Sequence, residues 1–275
     1  MRWSSASLRY EDKNLSDLNS AFDPSLLSRI EDAGINASAP PQQRWLDGWL
    51  LRFSPGKAKR ARCVNAVAVG RLPVEQKLAA CEQVFAEASL PMIVRITPFS
   101  LPIELDATLE ARGLRRFDDT HVMVLSHPGN LDAPKLPPQM SLQPLALEPF
   151  AQRVGALRGS PLAQRQAHGQ RLANSPVPFT AWELRSDGQT LACGQFAMED
   201  DVVGLYDVFT APSVRGQGHA RLLCAHMLAQ AAARGAKHAY LQVEGDNHAA
   251  RSVYRRLGFT DAYTYHYRTR DPSAA

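Results

Sequence analysis

Cysteine is scarce in this chain and what there is lies scattered. The 275 residues hold four (Cys63, Cys81, Cys193, Cys224), with no CxxC pair or other close ligand spacing. That excludes a thiolate metal centre and a disulfide framework, and predicts reduced, packed thiols in a cytoplasmic protein. Long apolar runs are missing too: none approaches the ~20 residues of a membrane helix. The opening residues, Met1-Arg-Trp-Ser-Ser-Ala-Ser, lack the apolar stretch of a secretory signal. No charge sign dominates either. Lysine and arginine total 31 against 27 acidic residues, a net +4, which argues against a nucleic-acid partner. A P-loop, a GxGxxG fingerprint, HExxH and a Ser-His-Asp arrangement are all absent, so no metal is implied.

What is present is globular: 45% of residues are hydrophobic and 21% charged, in a chain long enough for two domains. Residues 1–23 are polar and unpatterned, and are expected to be poorly ordered. Pro24 to Ala33 predicts a short helix stopped at Gly34. Trp45 to Phe53 and Cys63 to Val69 predict two strands joined by a Pro55-Gly56 turn and the basic stretch Lys57-Ala-Lys59-Arg60-Ala-Arg62. Without aromatic residues beside it to stack bases, that stretch reads as a solvated hairpin end rather than a nucleic-acid patch. Pro73 to Ala88 is a strong helix, followed by a strand at 92–97, a helix at 105–112 and a strand at 121–125. Four prolines and a glycine between Ser126 and Ser141 mark a linker at 127–139. Beyond it, the sequence predicts a strand from Leu142, a helix from Pro149 to Arg158, and paired strands around an Asp187-Gly188 turn.

The densest signal is Val214-Arg-Gly-Gln-Gly-His-Ala-Arg221. It joins an apolar strand (Val202 to Thr210) to an apolar-periodic helix (His219 to Arg234). Gly216 and Gly218 allow a sharp turn and a close approach of ligand to main chain. The amides of Gln217, Gly218, His219, Ala220 and Arg221 then open the helix without internal acceptors, which is a site for phosphate. At His219 the amide matters more than the ring. A second block follows a short strand, Ala239 to Glu244. Asn247, Ala250, Tyr254, Gly258 and Phe259 fall in the order N-x-x-A-x-x-x-Y-x-x-x-G-F.

With Arg215-x-x-Gly218-x-Ala220, these two blocks resemble the acyl-CoA loop and the following helix of the GNAT superfamily of N-acetyltransferases. The order of elements recurs in the first half, where Leu109 to Leu114 aligns with Tyr254 to Phe259. We therefore read residues 24–126 as a degenerate GNAT-like repeat without the glycine loop, and 140–270 as the catalytic GNAT domain. The fold class expected is α/β (α+β in some schemes): tandem GNAT-like folds, each a mixed central sheet flanked by helices.

The resemblance implies acetyl-CoA as acyl donor and a primary amine, of a small molecule or peptide, as acceptor. It implies that Phe209 and Thr210 pair with the pantetheine arm through their main chain. It also implies that Arg215 and Gly216 shape the phosphate loop, and that Asn247 binds pantetheine, a role compatible with simple helix capping. Tyr254 is the candidate general acid for the leaving thiolate, against a core tyrosine packed on the sheet. Asp207 and Glu244, near the ends of their strands, are both candidate bases. The alternative is a non-catalytic acyl-CoA sensor whose first half binds a partner. Pseudo-symmetric halves could complete one another within a monomer, so monomer and homodimer both stay open. No membrane partner is expected.

Overall fold

The computed structural model describes residues 17–54 and 58–274. The expected Pro55-Gly56 turn, Lys57 and the first sixteen residues lie outside these. Eleven strands form one mixed sheet, ordered β1-β2-β3-β4-β11-β5-β10-β9-β8-β7-β6. The first half supplies β1 (Gln43–Leu46), β2 (Trp49–Arg52), β3 (Val64–Ala66), β4 (Val94–Ile96) and β5 (Arg115–Ser126). The second supplies β6 (Met140–Leu145), β7 (Phe179–Ser186), β8 (Gln189–Glu199), β9 (Val202–Thr210), β10 (His238–Glu244) and β11 (Thr260–Thr269).

The two halves share this sheet by exchanging strands. β5 sits between β10 and β11, antiparallel to both, and β11 sits between β5 and β4. Each half therefore completes the other's ladder. The two parallel contacts, β3 with β4 and β9 with β10, occupy corresponding places on either side of this exchange. A right-handed strand–helix–strand crossover is the usual way to join parallel neighbours. Here the crossovers contain α2 (Val74–Glu87) and α6 (His219–Ala233), and α3 (Leu105–Ala111) and α7 (His248–Arg256) precede β5 and β11.

Alternation along the strands sorts side chains to opposite faces. Val203, Leu205, Leu241 and Val243 pack with α6 residues Leu223, Met227 and Leu228. The intervening Val202 and Tyr240 pack with α1 (Pro24–Ala37) through Leu26, Leu27 and Ile30. On that second face α4 (Leu147–Leu157) and α5 (Leu162–Ala173) cover β7 and β8 through Phe150, Val154 and Leu172. The four cysteines are free and buried. No helix among the described residues is long and apolar enough to cross a membrane.

Three expectations change. Helix α1 does not stop at Gly34 but continues to Ala37. Gly34 packs against β10: a Cβ there would stand 2.6 Å from Nε2 of Gln242, so the end of that side chain would have to shift. The expected strand 45–53 is a hairpin, β1 and β2, turning at Asp47 and Gly48, both with positive φ. Residues 18–22, expected to be unpatterned, are tied down: the Asn19 amide donates to Ala262 O at 2.8 Å and Leu18 and Phe22 pack on the α1 core.

A buried ion pair crosses from α1 to the first half's sheet. Both terminal nitrogens of Arg95, Nη1 and Nη2, donate to the Glu31 carboxylate, the latter at 3.1 Å, and the Tyr263 hydroxyl donates to it at 2.7 Å. Burial opposes ionisation of Glu31, but Arg95, Tyr263 and Arg60 outweigh it and hold its carboxyl below the usual value. A carboxyl depressed by folding contributes stability that is lost as pH falls through its folded value. Glu31→Ala leaves Arg95 charged and unpaired in the core, so we expect a loss of about 3–5 kcal/mol in urea unfolding at neutral pH. That deficit should shrink as the pH drops below the 4.5 of an ordinary glutamate. An unchanged midpoint would show that the pair contributes nothing.

Candidate active site

β9 and β10 pair only from Val202 opposite His238 to Leu205 opposite Leu241. Beyond that they part. β10 stays with β5 to its last residue, Glu244 opposite Thr120, while β9 follows β8. A bulge on β9 assists: Gln195 faces Tyr206 and Cys193 faces Phe209, so Asp207 and Val208 oppose the single residue Gly194. Bulges bend the strand that carries them and re-aim its side chains. Asp207 takes the left-handed conformation there, with φ 51°.

The gap holds a cavity of about 480 Å³ that reaches both faces of the sheet. Asn247, Ala250 and Tyr254 of the α7 segment line one side, and Ser38, Arg158 and Arg171 line the other. Five of the expected site residues meet here: Asp207, Phe209, Glu244, Asn247 and Tyr254. Past Leu205 and Leu241 the facing edges of the two strands have no ladder partner, so their main-chain groups are available to an extended ligand. Thr210 ends β9, opposite Ala192.

The remaining expected residues form a separate station at the head of α6. A single 3-10 turn (Pro212–Val214) leads to Arg215, then to Gly216 and Gly218 with φ of 79° and 84°. Gly218 is the residue before the helix, and no side chain caps it. The first amide to find a backbone acceptor is that of Leu222, which donates to Gly218 O at 3.0 Å. The amides of Gln217, Gly218, His219, Ala220 and Arg221 thus have no acceptor among the described residues. A Cβ on either glycine would meet nothing within 4 Å, so this is open space faced by free amides at the positive end of a helix dipole, which fits a phosphate. The His219 ring is buried, and burial lowers its basicity. The Arg215 guanidinium lies over the Phe209 ring at 5.2 Å, linking the loop to the cavity.

Tyr254 is half-buried, edge-on to Phe259 at 6.1 Å. Burial pushes its phenol up, with Cys224 adding to the effect, so it holds its proton. Its hydroxyl has no hydrogen-bond partner among the described residues. Asn247 caps α7, accepting from the Ala250 amide at 3.1 Å. Glu244 is exposed at the end of β10, and alternation places it on the face occupied by Tyr240 and Gln242.

Asp207 does not suit the role of base. Arg158 Nη1 donates to its Oδ1 at 2.9 Å, Gln195 Nε2 donates to its Oδ2 at 2.7 Å, and His168 Nε2 lies 3.2 Å from Oδ2. Burial pushes this carboxyl up, but the His168 hydrogen bond and the charges of Arg158, His168 and Arg171 prevail and hold it far below the usual range. A carboxylate so stabilised is a poor proton acceptor. It is an anchor for α4 and α5. The basic stretch is corrected as well. Arg60 is no solvated hairpin end but lines the cavity and donates to Gln242 Oε1. Arg158, His168 and Arg171 had one legible signal: His168 and Arg171 stand three apart and share a helix face.

Residues 147–259 match the model of the acetyltransferase (GNAT) family. The uncharacterized N-acetyltransferase YobR of Bacillus subtilis (strain 168) is 24% identical over 232 residues, covering 82% of this chain and 91% of YobR. Among solved structures, a GCN5-related N-acetyltransferase from Kribbella flavida superposes with a TM-score of 0.65 at 20% identity, over 89% of this chain and 95% of that one. A tandem GNAT protein from the clavulanic acid biosynthesis pathway gives 0.59 at 15% identity, over 72% and 70%. The chain has a GNAT fold, and its residues 147–259 are similar to the acetyltransferase (GNAT) family.

If Asp207 is an ion-pair anchor, its carboxyl carbon should show no titration by NMR between about pH 5 and pH 8, the range useful to a general base. A midpoint within that range would restore it as a base. The sign for stability follows from a depressed carboxyl: the contribution of Asp207 is full above 3.8, the ordinary aspartate value, and is lost only as pH falls through the folded one.

Proposed function

We propose that this GNAT enzyme transfers an acetyl group from acetyl-CoA to a primary amine by direct attack within the gap between β9 and β10. The observation that carries the reading is the alignment of three features: free amides at the head of α6, unpaired strand edges leading away from them, and Tyr254 at the end of that path. The amides of residues 217–221 hold the donor's pyrophosphate, and Arg215 adds a charge beside it. Main-chain groups of Phe209 and Thr210 bind the pantetheine arm, and a β9 amide beyond Leu205 stabilises charge on the thioester oxygen. Asn247 keeps its capping bond and offers its remaining amide group to the arm.

The amine approaches from the opposite face, where α1, α4 and α5 line the cavity. Glu244 draws the proton from the ammonium through water, being the candidate carboxylate whose oxygens are not committed to protein partners. As the nitrogen–carbon bond forms and the carbon–sulfur bond breaks, the Tyr254 hydroxyl supplies the proton that leaves with the thiol, and the second proton shed by the nitrogen returns through water to the Tyr254 phenolate. A half-buried, protonated phenol suits this, because it presents a hydrogen rather than a negative charge to the sulfur. The acceptor is a small molecule or a peptide amine, and the protein works in the cytoplasm.

Two substitutions separate chemistry from binding. Tyr254→Phe should lower kcat by about 100-fold or more with acetyl-CoA affinity retained, since the ring stays and only the hydroxyl is lost. Full turnover in that variant would remove Tyr254 from the reaction. Gly218→Ala forces an L side chain onto a backbone at φ 84°, which costs roughly 1–2 kcal/mol of local conformation. It should raise the KM for acetyl-CoA about tenfold with a smaller effect on kcat. An unchanged KM would place the donor's phosphates elsewhere.

A further inference from the structure

Three guanidinium groups line the cavity: Arg60, Arg158 and Arg171. Arg158 is committed to Asp207. The other two reach no carboxylate. Arg60 donates to the neutral Gln242 side chain, whose Oε1 also accepts from the Tyr265 hydroxyl at 2.8 Å. That bond aims Arg60 without neutralising it. Arg171 makes no hydrogen bond or ion pair among the described residues.

Two like charges sharing one cavity repel, and burial raises the cost of each. Burial pulls the Arg171 guanidinium below its usual value; Asp207 offsets part of this and the charge of Arg60 adds to it. An anion between the two would reverse the balance, and a guanidinium fork pairs with a planar carboxylate through two parallel hydrogen bonds. The donor's phosphates have their own station at the head of α6, which packs on the other face of the sheet. The anion must therefore belong to the acceptor.

We propose that the acceptor is an amine that also bears a carboxylate, gripped by Arg60 from the first half and Arg171 from the second, with its nitrogen directed at the gap between β9 and β10. This rests on the acyl-transfer reading above and names its substrate class. It also gives the first half a function: it provides part of the acceptor wall through Ser38, Ala58, Arg60 and Ala61.

The test pairs each of a set of α-, β- and γ-amino acids with its carboxamide and its phosphonate counterpart, using the full chain, acetyl-CoA and thiol release. The carboxylate form should exceed its carboxamide in kcat/KM by about 10- to 100-fold, the worth of a charge-assisted hydrogen-bonded pair. Arg171→Gln and Arg60→Gln should each collapse that ratio toward unity while the KM for acetyl-CoA holds, and Arg171→Lys should restore part of it. Equal turnover of carboxylates and carboxamides, or preference for the phosphonates, overturns the proposal. So does a loss of acetyl-CoA affinity in the arginine variants, which would assign the pair to the donor. If acetyl-CoA binds and no amine reacts, calorimetry of the amino acids with the CoA-loaded protein decides. Uptake lost in Arg171→Gln supports the arginine pair, and no uptake by the native chain refutes it. Failure of the native chain to bind acetyl-CoA defeats the transferase reading instead, and the same calorimetry without CoA still judges the arginines.

Discussion

The parting of β9 from β10 after Leu205 and Leu241 is the constraint on which the cavity depends. Separating two strands in mid-sheet leaves backbone donors and acceptors without partners, which a fold tolerates only where something else holds each strand in place. β10 keeps an unbroken antiparallel ladder with β5 along its whole length. β9 keeps β8, and the bulge at Asp207 and Val208 turns it away. The left-handed backbone of Asp207 is retained because its carboxylate draws in Arg158, His168 and Gln195 from three separate elements. The aspartate's contribution is thus mechanical: it fixes the shape of the opening.

The strand that steadies β10 comes from the other half of the chain. β5 and β11 trade places at the centre of the sheet, so neither half closes its own ladder. The buried Glu31–Arg95 pair and the Tyr263 hydroxyl extend this dependence below the sheet, joining α1, β4 and β11. The arginine that enters the cavity from the first half follows from the same arrangement. Gly34 lets α1 lie against Gln242, and Gln242 directs Arg60. A first half without a glycine loop of its own contributes structure to the gap, and its Arg60 lines the cavity.

Much of this could be read in the residues themselves. Strand β9, the turn through Gly216 and Gly218, helix α6 and the Asn247-to-Phe259 block were all predicted within a residue or two, because each rests on local rules: period-two or helical alternation, positive φ at glycine, free amides where a helix begins. Convergence of Asp207, Glu244, Asn247 and Tyr254 on one place followed from the family resemblance. Errors arose where a residue answers to something distant. Gly34 looked like a helix stop and is a contact with β10. The 45–53 segment looked like one strand because apolar residues lie on both sides of Asp47-Gly48, whose left-handed backbone turns the chain there. Arg60 looked solvated because the side chain that holds it, Gln242, lies on β10, 182 positions along the chain.

By itself the sequence determined the local architecture and the free amides at the head of α6, since such a cradle is made from consecutive amides and needs only a turn and a helix. The tertiary structure alone decided the rest: that two halves share one sheet, that Asp207 is locked in ion pairs rather than free to take a proton, and that arginines 111 positions apart (60 and 171) line one cavity. Charge, proton affinity and pairing depend on what stands within a few ångströms in space, and that neighbourhood exists only once the strands have crossed over.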